Sequence, residues 1–222
     1  MVDGTTMKLL DLFCGAGGAA MGYHRAGFDV VGVDIAPQPH YPFEFHQADA
    51  LEYLAEHWQE YDFVHASPPC QGYSVTRNLK MARGYHPMMI EAVREMLQAT
   101  GKPYVIENVP GAPLINPLML CGTMFGLGVI RHRLFECNPP IWFPPASCNH
   151  DGKTVPMWWS DRRRALKAGE SFRYVTVAGR SFLMPEARQA MGIDWMNQDG
   201  LRQAIPPVYV EFVGRQLMAA LT

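Results

Sequence analysis

The chain has 222 residues, 48% of them hydrophobic and 18% charged, with a net charge of −2. This length and balance suit one catalytic α/β domain with a small appendage. They exclude a uniformly basic nucleic-acid-binding surface, so any such contact must come from local clusters. No apolar run approaches the roughly 20 residues of a membrane span. Residues 1–7 lack a basic stretch followed by an apolar one, so no secretory signal is expected and the cytoplasm is the expected compartment. Five cysteines, at 14, 70, 121, 137 and 148, lack the spacing of a disulfide scaffold and are expected to be thiols.

The first 110 residues alternate strand and helix signals. An apolar run at 8–13 breaks into the turn Cys14-Gly15-Ala16-Gly17-Gly18, and small apolar residues continue to Gly27, a helix-capping glycine. A second strand is expected at 29–33, ending at Asp34. Asp49 can cap a helix reaching Trp58, and a third strand at 63–66 ends at Ser67-Pro68-Pro69-Cys70. Pro87 suits a helix start, Met89, Val93, Met96 and Leu97 recur at helical spacing, and Gly101 stops it. A fourth strand at 104–106 ends at Glu107-Asn108. Such alternation predicts a mostly parallel sheet covered on both faces, with ligands beyond the carboxyl ends of its strands. Asp34, Cys70, Glu107 and the glycine turn all fall at those ends.

After Cys137 the character changes. Residues 138–157 are proline-rich, Arg162, Arg163, Arg164 and Lys167 form a basic cluster, and 172–178 reads as a strand. Helical patterns return from Pro185 to Met191 and after Pro206-Pro207. The expected division is a catalytic and cofactor-binding core at 1–137, a small recognition region at 138–184, and a return to the core at 185–222.

Gly15-x-Gly17-x-x-Ala20, with Asp34 following, meets the general nucleotide-cofactor fingerprint: glycines admit the ligand to the backbone and a carboxylate accepts from ribose hydroxyls. Nicotinamide, flavin and S-adenosylmethionine enzymes all use such turns, and a turn that only caps a helix looks alike. Cys70, in a stiff polar turn, has the setting of a nucleophile rather than of a packed hydrophobe. Glu107 and the pair Arg131 and Arg133 are an acid and cations suited to a ring that accepts charge. For Glu107 to donate a proton, its pKa must be raised in a dry pocket.

Asp11-Leu12-Phe13-Cys14-Gly15-Ala16-Gly17-Gly18, Pro68-Pro69-Cys70-Gln71, Glu107-Asn108-Val109, Arg131-x-Arg133 and Leu201-Arg202-Gln203-Ala204-Ile205-Pro206-Pro207 together resemble, in order, the motifs of the DNA cytosine-5 methyltransferase family. The resemblance implies a Rossmann-like S-adenosylmethionine-dependent methyltransferase fold, with S-adenosylmethionine as cofactor and S-adenosylhomocysteine as product. The cofactor pocket it implies involves Asp11, Phe13, Cys14, Gly15, Ala16, Gly17, Gly18, Asp34, Ile35, Asp49, Ala50, Pro68, Gln203 and Ala204. Within it Asp34 holds the ribose, Ile35 packs on adenine, and Asp49 accepts from the adenine amino group. It implies a cytosine flipped from the duplex, Cys70 adding to C6, Glu107 engaging N3, an arginine at O2, and methylation at C5 before the C5 proton is removed. Departures are Val129 where the family usually has glutamine and Gln203 where it has asparagine. The helix at 185–192 follows the family pattern only loosely. They suggest a divergent prokaryotic or phage-borne branch.

Double-stranded DNA is the expected substrate, read by Gln71, Ser74, Arg77, Arg162, Arg163, Arg164 and Thr176, with a short recognition sequence because about 47 residues supply few base contacts. A monomer without a membrane partner is expected, and a companion restriction enzyme is compatible with the resemblance. Cys137, Cys148 and His150, with His132 or Asp151, lack a C-x-x-C pair, so packing is expected and no metal. The competing readings are a tRNA cytosine-5 methyltransferase, a catalytically silent relative that binds DNA or the cofactor, and a nicotinamide oxidoreductase. The last leaves Cys70, Glu107 and Arg133 unexplained.

Overall fold

Strand β1 (Lys8–Leu12) is buried along almost its whole length, with Leu9 packed on one face of the sheet and Leu10 and Leu12 on the other. Burial on both faces is why the run is apolar rather than alternating. The computed structural model describes residues 6–70, 73, 88–141, 143, 145–156, 159–179 and 182–221. From β1 the chain runs through α1 (Gly18–Ala26), β2 (Asp29–Asp34), β3 (Glu44–Gln47), α2 (Ala50–His57), β4 (Phe63–Ala66), α3 (Ile90–Thr100) and β5 (Tyr104–Asn108). Next come β6 (Leu118–Leu120) and β7 (Arg133–Asn138), then the helices α4 (Trp159–Lys167), α5 (Met184–Met191), α6 (Gln198–Gln203) and α7 (Pro207–Leu221).

The seven strands lie in the order β3-β2-β1-β4-β5-β7-β6. Strands β1 to β5 pair in parallel, and β7 runs antiparallel between β5 and β6. Leu54 of α2 and Val93 and Leu97 of α3 cover one face with Val31, Val64 and Ile106; Tyr23 of α1 and Tyr209 and Val213 of α7 cover the other with Val30, Phe63 and Phe135. A third apolar cluster, with Val129, Val177, Met191, Met196 and Leu201, binds α5 and α6 to the segment before β7.

The expected strands at β1, β2, β4 and β5 and the helices α1, α2, α3, α5 and α7 are present. Strands β3, β6 and β7 and helices α4 and α6 were not expected; β3, β6 and α6 are short, and β3 and β6 carry polar or half-exposed side chains that show no period. Residues 172–178 are not a strand. They make a single bridge, Tyr174 to Thr154, because their partners are loops: Val175 N–H donates to Gly128 O at 2.7 Å and Thr176 Oγ1 to Val155 O at 2.7 Å. Pro87 lies outside the described residues, as do Gln71, Ser74 and Arg77. Among the described residues no helix is long and apolar enough to cross a membrane.

Candidate active site

The turn after β1 is held in a conformation that most side chains resist. Phe13, Gly15 and Gly17 all have positive φ, at 57°, 50° and 82°. At Gly17 space is short as well: a Cβ there would come within 2.7 Å of Pro42 Cδ. Gly18 is needed for a different reason, since a Cβ would lie 2.5 Å from the carbonyl oxygen of Ile205, where the C-terminal return crosses the start of α1. Trp195 Nε1–H donates to Ala16 O at 2.9 Å and ties the same turn to that return. Asp34, at the end of β2, accepts from Gly15 N at 3.0 Å and Ala36 N at 2.9 Å, so its carboxylate is oriented by the turn itself.

These elements frame a cavity of about 590 Å³ at the carboxyl ends of β1, β2, β4 and β5. Asp11, Phe13, Cys14, Gly15, Ala16, Gly18, Asp34, Ile35 and Pro68 line it from the core, and Gln203 and Ala204 from the return. Cys70, Glu107 and Arg133 line it too. Asp11 is fully buried, and neither of its oxygens makes a well-formed hydrogen bond among the described residues, though Tyr41 and the Ala20 amide lie close enough to favour its charged form. Burial, and then the charge of Asp34, push its carboxyl well above the usual range. A wall with unmatched acidic groups beside the apolar Phe13 and Ile35 suits a ligand that is cationic at one end and flat at the other.

Glu107 ends β5 and is 5% exposed, with Oε1 3.0 Å from Arg133 Nε at the start of β7. Burial pushes its carboxyl up, and Arg133 and the Ser67 hydroxyl pull the other way. Burial also raises the Cys70 thiol, with Glu107 adding to it and Arg133 opposing. The Pro68-Pro69 turn that aims Cys70 is fixed by Asn108, whose buried Nδ2 donates to Pro68 O at 3.0 Å. Behind Glu107 runs a buried chain: Tyr23 OH lies 3.0 Å from His65 Nδ1, and His65 Nε2 lies 2.9 Å from Ser67 Oγ. Burial holds His65 neutral, lowering its pKa to about 3, so one ring nitrogen donates and the other accepts in this chain.

Residues 7–113 match the family model described as C-5 cytosine-specific DNA methylase. This match spans just under half of the chain. Among relatives, the type II methyltransferase M.FnuDI of Fusobacterium nucleatum is 30% identical over 115 residues, 47% of this chain and 33% of that protein. M.AquIA of Picosynechococcus is 31% identical over 121 residues, 47% of this chain and 49% of that one. The chain thus matches only about a third to a half of the length of these curated relatives. The fold extends further than the sequence match. A DNA modification methyltransferase encoded within an E. coli prophage superposes with a TM-score of 0.64 at 17% identity, covering 97% of this chain and 99% of that one. The S. pombe Dnmt2 methyltransferase gives 0.63 at 13%, covering 98% and 100%.

The two arginines after Val129 do different work. Arg133 faces the cavity. Arg131 does not line it: its Nη1 and Nη2 donate to Val177 O at 3.0 Å and Arg202 O at 2.8 Å, and burial lowers its pKa to about 9. It joins the stretch at 172–178 to the end of α6. Val129, which replaces the usual glutamine, is 2% exposed inside the third apolar cluster, where a polar side chain would go unpaired.

Other expected residues also lie away from the cavity. Gly17 shapes the turn from behind. Asp49 caps α2, its Oδ1 accepting from Leu51 N at 2.8 Å and Glu52 N at 3.2 Å, and neither it nor Ala50 is in the cavity wall. Arg162 is held by Glu186 at 2.6 Å, whereas Arg163 and Arg164 stand on the exposed face of α4. Thr176 is tied to Val155. Sequence reasoning missed Ser67, His65, Asn108 and Trp195: each acts through another group, and only the polar Ser67 and buried His65 beside the Pro-Pro turn carried any local signal. It also paired Cys148 and His150 with Cys137. Instead Cys121 joins them and His132, while Cys137 stays within β7.

Proposed function

We propose that the chain is an S-adenosylmethionine-dependent DNA cytosine-5 methyltransferase that forms a covalent bond from Cys70 to the target base. The observation that carries this reading is one cavity lined at once by the glycine-rich turn, Cys70, and the Glu107–Arg133 pair at 3.0 Å. S-adenosylmethionine fits the walls: its ammonium and sulfonium answer the unmatched Asp11, Asp34 suits the ribose hydroxyls, and Phe13 and Ile35 suit the adenine. When bound it supplies an electrophilic methyl carbon.

The protein supplies the rest. Cytosine C5 is a weak nucleophile until a thiolate adds to C6, which turns the ring into an enamine. Cys70 is that thiolate, with Arg133 favouring its charged form. Glu107, kept protonatable by burial, donates to N3 as electron density moves into the ring, and Arg133 faces the developing charge at O2. The base must leave the duplex to enter. Arg163 and Arg164, exposed on α4, supply phosphate contacts. Once C5 carries the methyl group, water takes the C5 proton, and the released electron pair forms the C5–C6 double bond and expels Cys70 from C6 as thiolate.

Labelled S-adenosylmethionine incubated with duplex DNA or tRNA, using the chain and Cys70→Ala, tests the reading. Label should pass to DNA, fall by at least about 10³-fold in the variant, and a 5-fluorocytosine duplex should trap an adduct at Cys70. Transfer to tRNA alone overturns the substrate; undiminished transfer by Cys70→Ala overturns the mechanism.

A further inference from the structure

Away from the cavity, four residues distant in sequence converge on one point. Cys121 follows β6, His132 precedes β7, and Cys148 and His150 belong to the proline-rich stretch after β7. Their ligand atoms all lie within 4.8 Å of one another, with Cys121 Sγ 3.4 Å from His150 Nε2 and Cys148 Sγ 3.9 Å from His132 Nε2. Zinc bound tetrahedrally at about 2.3 Å to sulfur and about 2.0–2.1 Å to nitrogen holds neighbouring ligand atoms roughly 3.4–3.8 Å apart. The 3.4 and 3.9 Å pairs lie close to this range, and since no pair exceeds 4.8 Å, small side-chain shifts would close the rest of the tetrahedron.

We propose that Cys121, His132, Cys148 and His150 form a structural zinc site that fastens the recognition segment to the catalytic core. The inference is independent of the methyltransferase reading. Three features of the cluster argue for a metal over chance packing. Two thiols and two imidazoles form a complete soft-to-borderline donor set without a carboxylate, which selects zinc over magnesium or calcium. Outer groups already support it: Thr123 Oγ1 donates to Cys121 Sγ at 3.4 Å and accepts from Asn149 N at 3.2 Å, and Tyr174 OH donates to Asn149 O at 3.1 Å. The stretch that brings Cys148 and His150 also needs a fastening, because residues 145–156 contain no helix or strand and only one bridge. With four protein donors the coordination is closed, so the metal holds structure and does not activate water. Binding displaces the two thiol protons to solvent.

His132 stands between Arg131 and Arg133, and Arg133 Nη1 donates to its carbonyl at 2.8 Å. Ligation would therefore pin the backbone from which Arg133 reaches Glu107.

The full chain, saturated with zinc and freed of unbound metal, should hold about one zinc per chain by elemental mass spectrometry. Cys148→Ser and His150→Ala should each lose it, and Cys137→Ser, outside the cluster, should keep it. Cobalt in place of zinc should give the visible absorption of a tetrahedral thiolate complex, a test that needs no variant. Chelation should lower Tm by roughly 5 °C or more. Zinc content no higher in the wild type than in the variants, or cobalt that stays octahedral and colourless of thiolate bands, overturns the proposal.

Discussion

His65 shows how one buried side chain ties stability to pH. Its ordinary pKa of 6.5 falls to about 3 in the fold because burial disfavours the imidazolium. The unfolded chain therefore binds the proton more readily. The stability this contributes is complete above about pH 6.5 and is lost as pH falls toward 3, at about 1.4 kcal/mol per pH unit. From about pH 7 to about pH 5 the wild type should lose about 2 kcal/mol that His65→Gln does not, read from urea midpoints at the two pH values. Parallel curves would show that His65 is not the group responsible. The roles at this scale were only partly legible in the sequence. Cys70 and Glu107 could be named because each falls where an expected strand gives out, and Arg133 because it belongs to the Arg131-x-Arg133 motif. Asp49 could be read as the cap of α2, which it is, but the role of Arg131 could not be read, because its partners, the carbonyls of Val177 and Arg202, come together only once the chain has folded.

At the scale of elements, α2 depends on its first turn. Asp49 Oδ1 takes the Leu51 and Glu52 amides, which would otherwise face no acceptor. Asp49→Ala should lower stability by about 1 kcal/mol and Asp49→Asn should restore most of it, measured by chemical denaturation. Because Asp49 is outside the cavity wall, cofactor affinity of Asp49→Ala at matched folded fraction should be unchanged; a large loss would return Asp49 to the adenine pocket. Elements long enough to show a period, such as α3 with Val93 and Leu97 inward, were visible before folding. Strand β6, three residues long, and α6, six residues with one buried leucine, had no room to show one.

Across the whole molecule, one buried ion pair links the two halves of the sheet. Arg94 of α3 grips Glu136 of β7 at 2.8 and 2.9 Å, its Nη2 also donates to Pro113 O, and Glu136 Oε2 accepts from Ile115 N. Helix α3, the loop after β5 and the antiparallel strand thus share one polar knot. Glu136→Gln should cost about 3–5 kcal/mol because it leaves a buried guanidinium uncompensated. The double change Arg94→Met with Glu136→Leu should recover much of that loss. If Glu136→Gln is neutral by calorimetry, the knot is not a determinant of stability.

The cavity takes one wall from residues 11–18 and another from residues 196–205, and the indole of Trp195 reaches back to Ala16 across 179 positions of chain. A polypeptide emerging from the ribosome therefore carries its glycine turn long before it carries a place to hold a nucleotide. Under the proposed function, cofactor capture waits for synthesis of α6, and chains halted before it should fail to retain S-adenosylmethionine however well their parallel strands had formed.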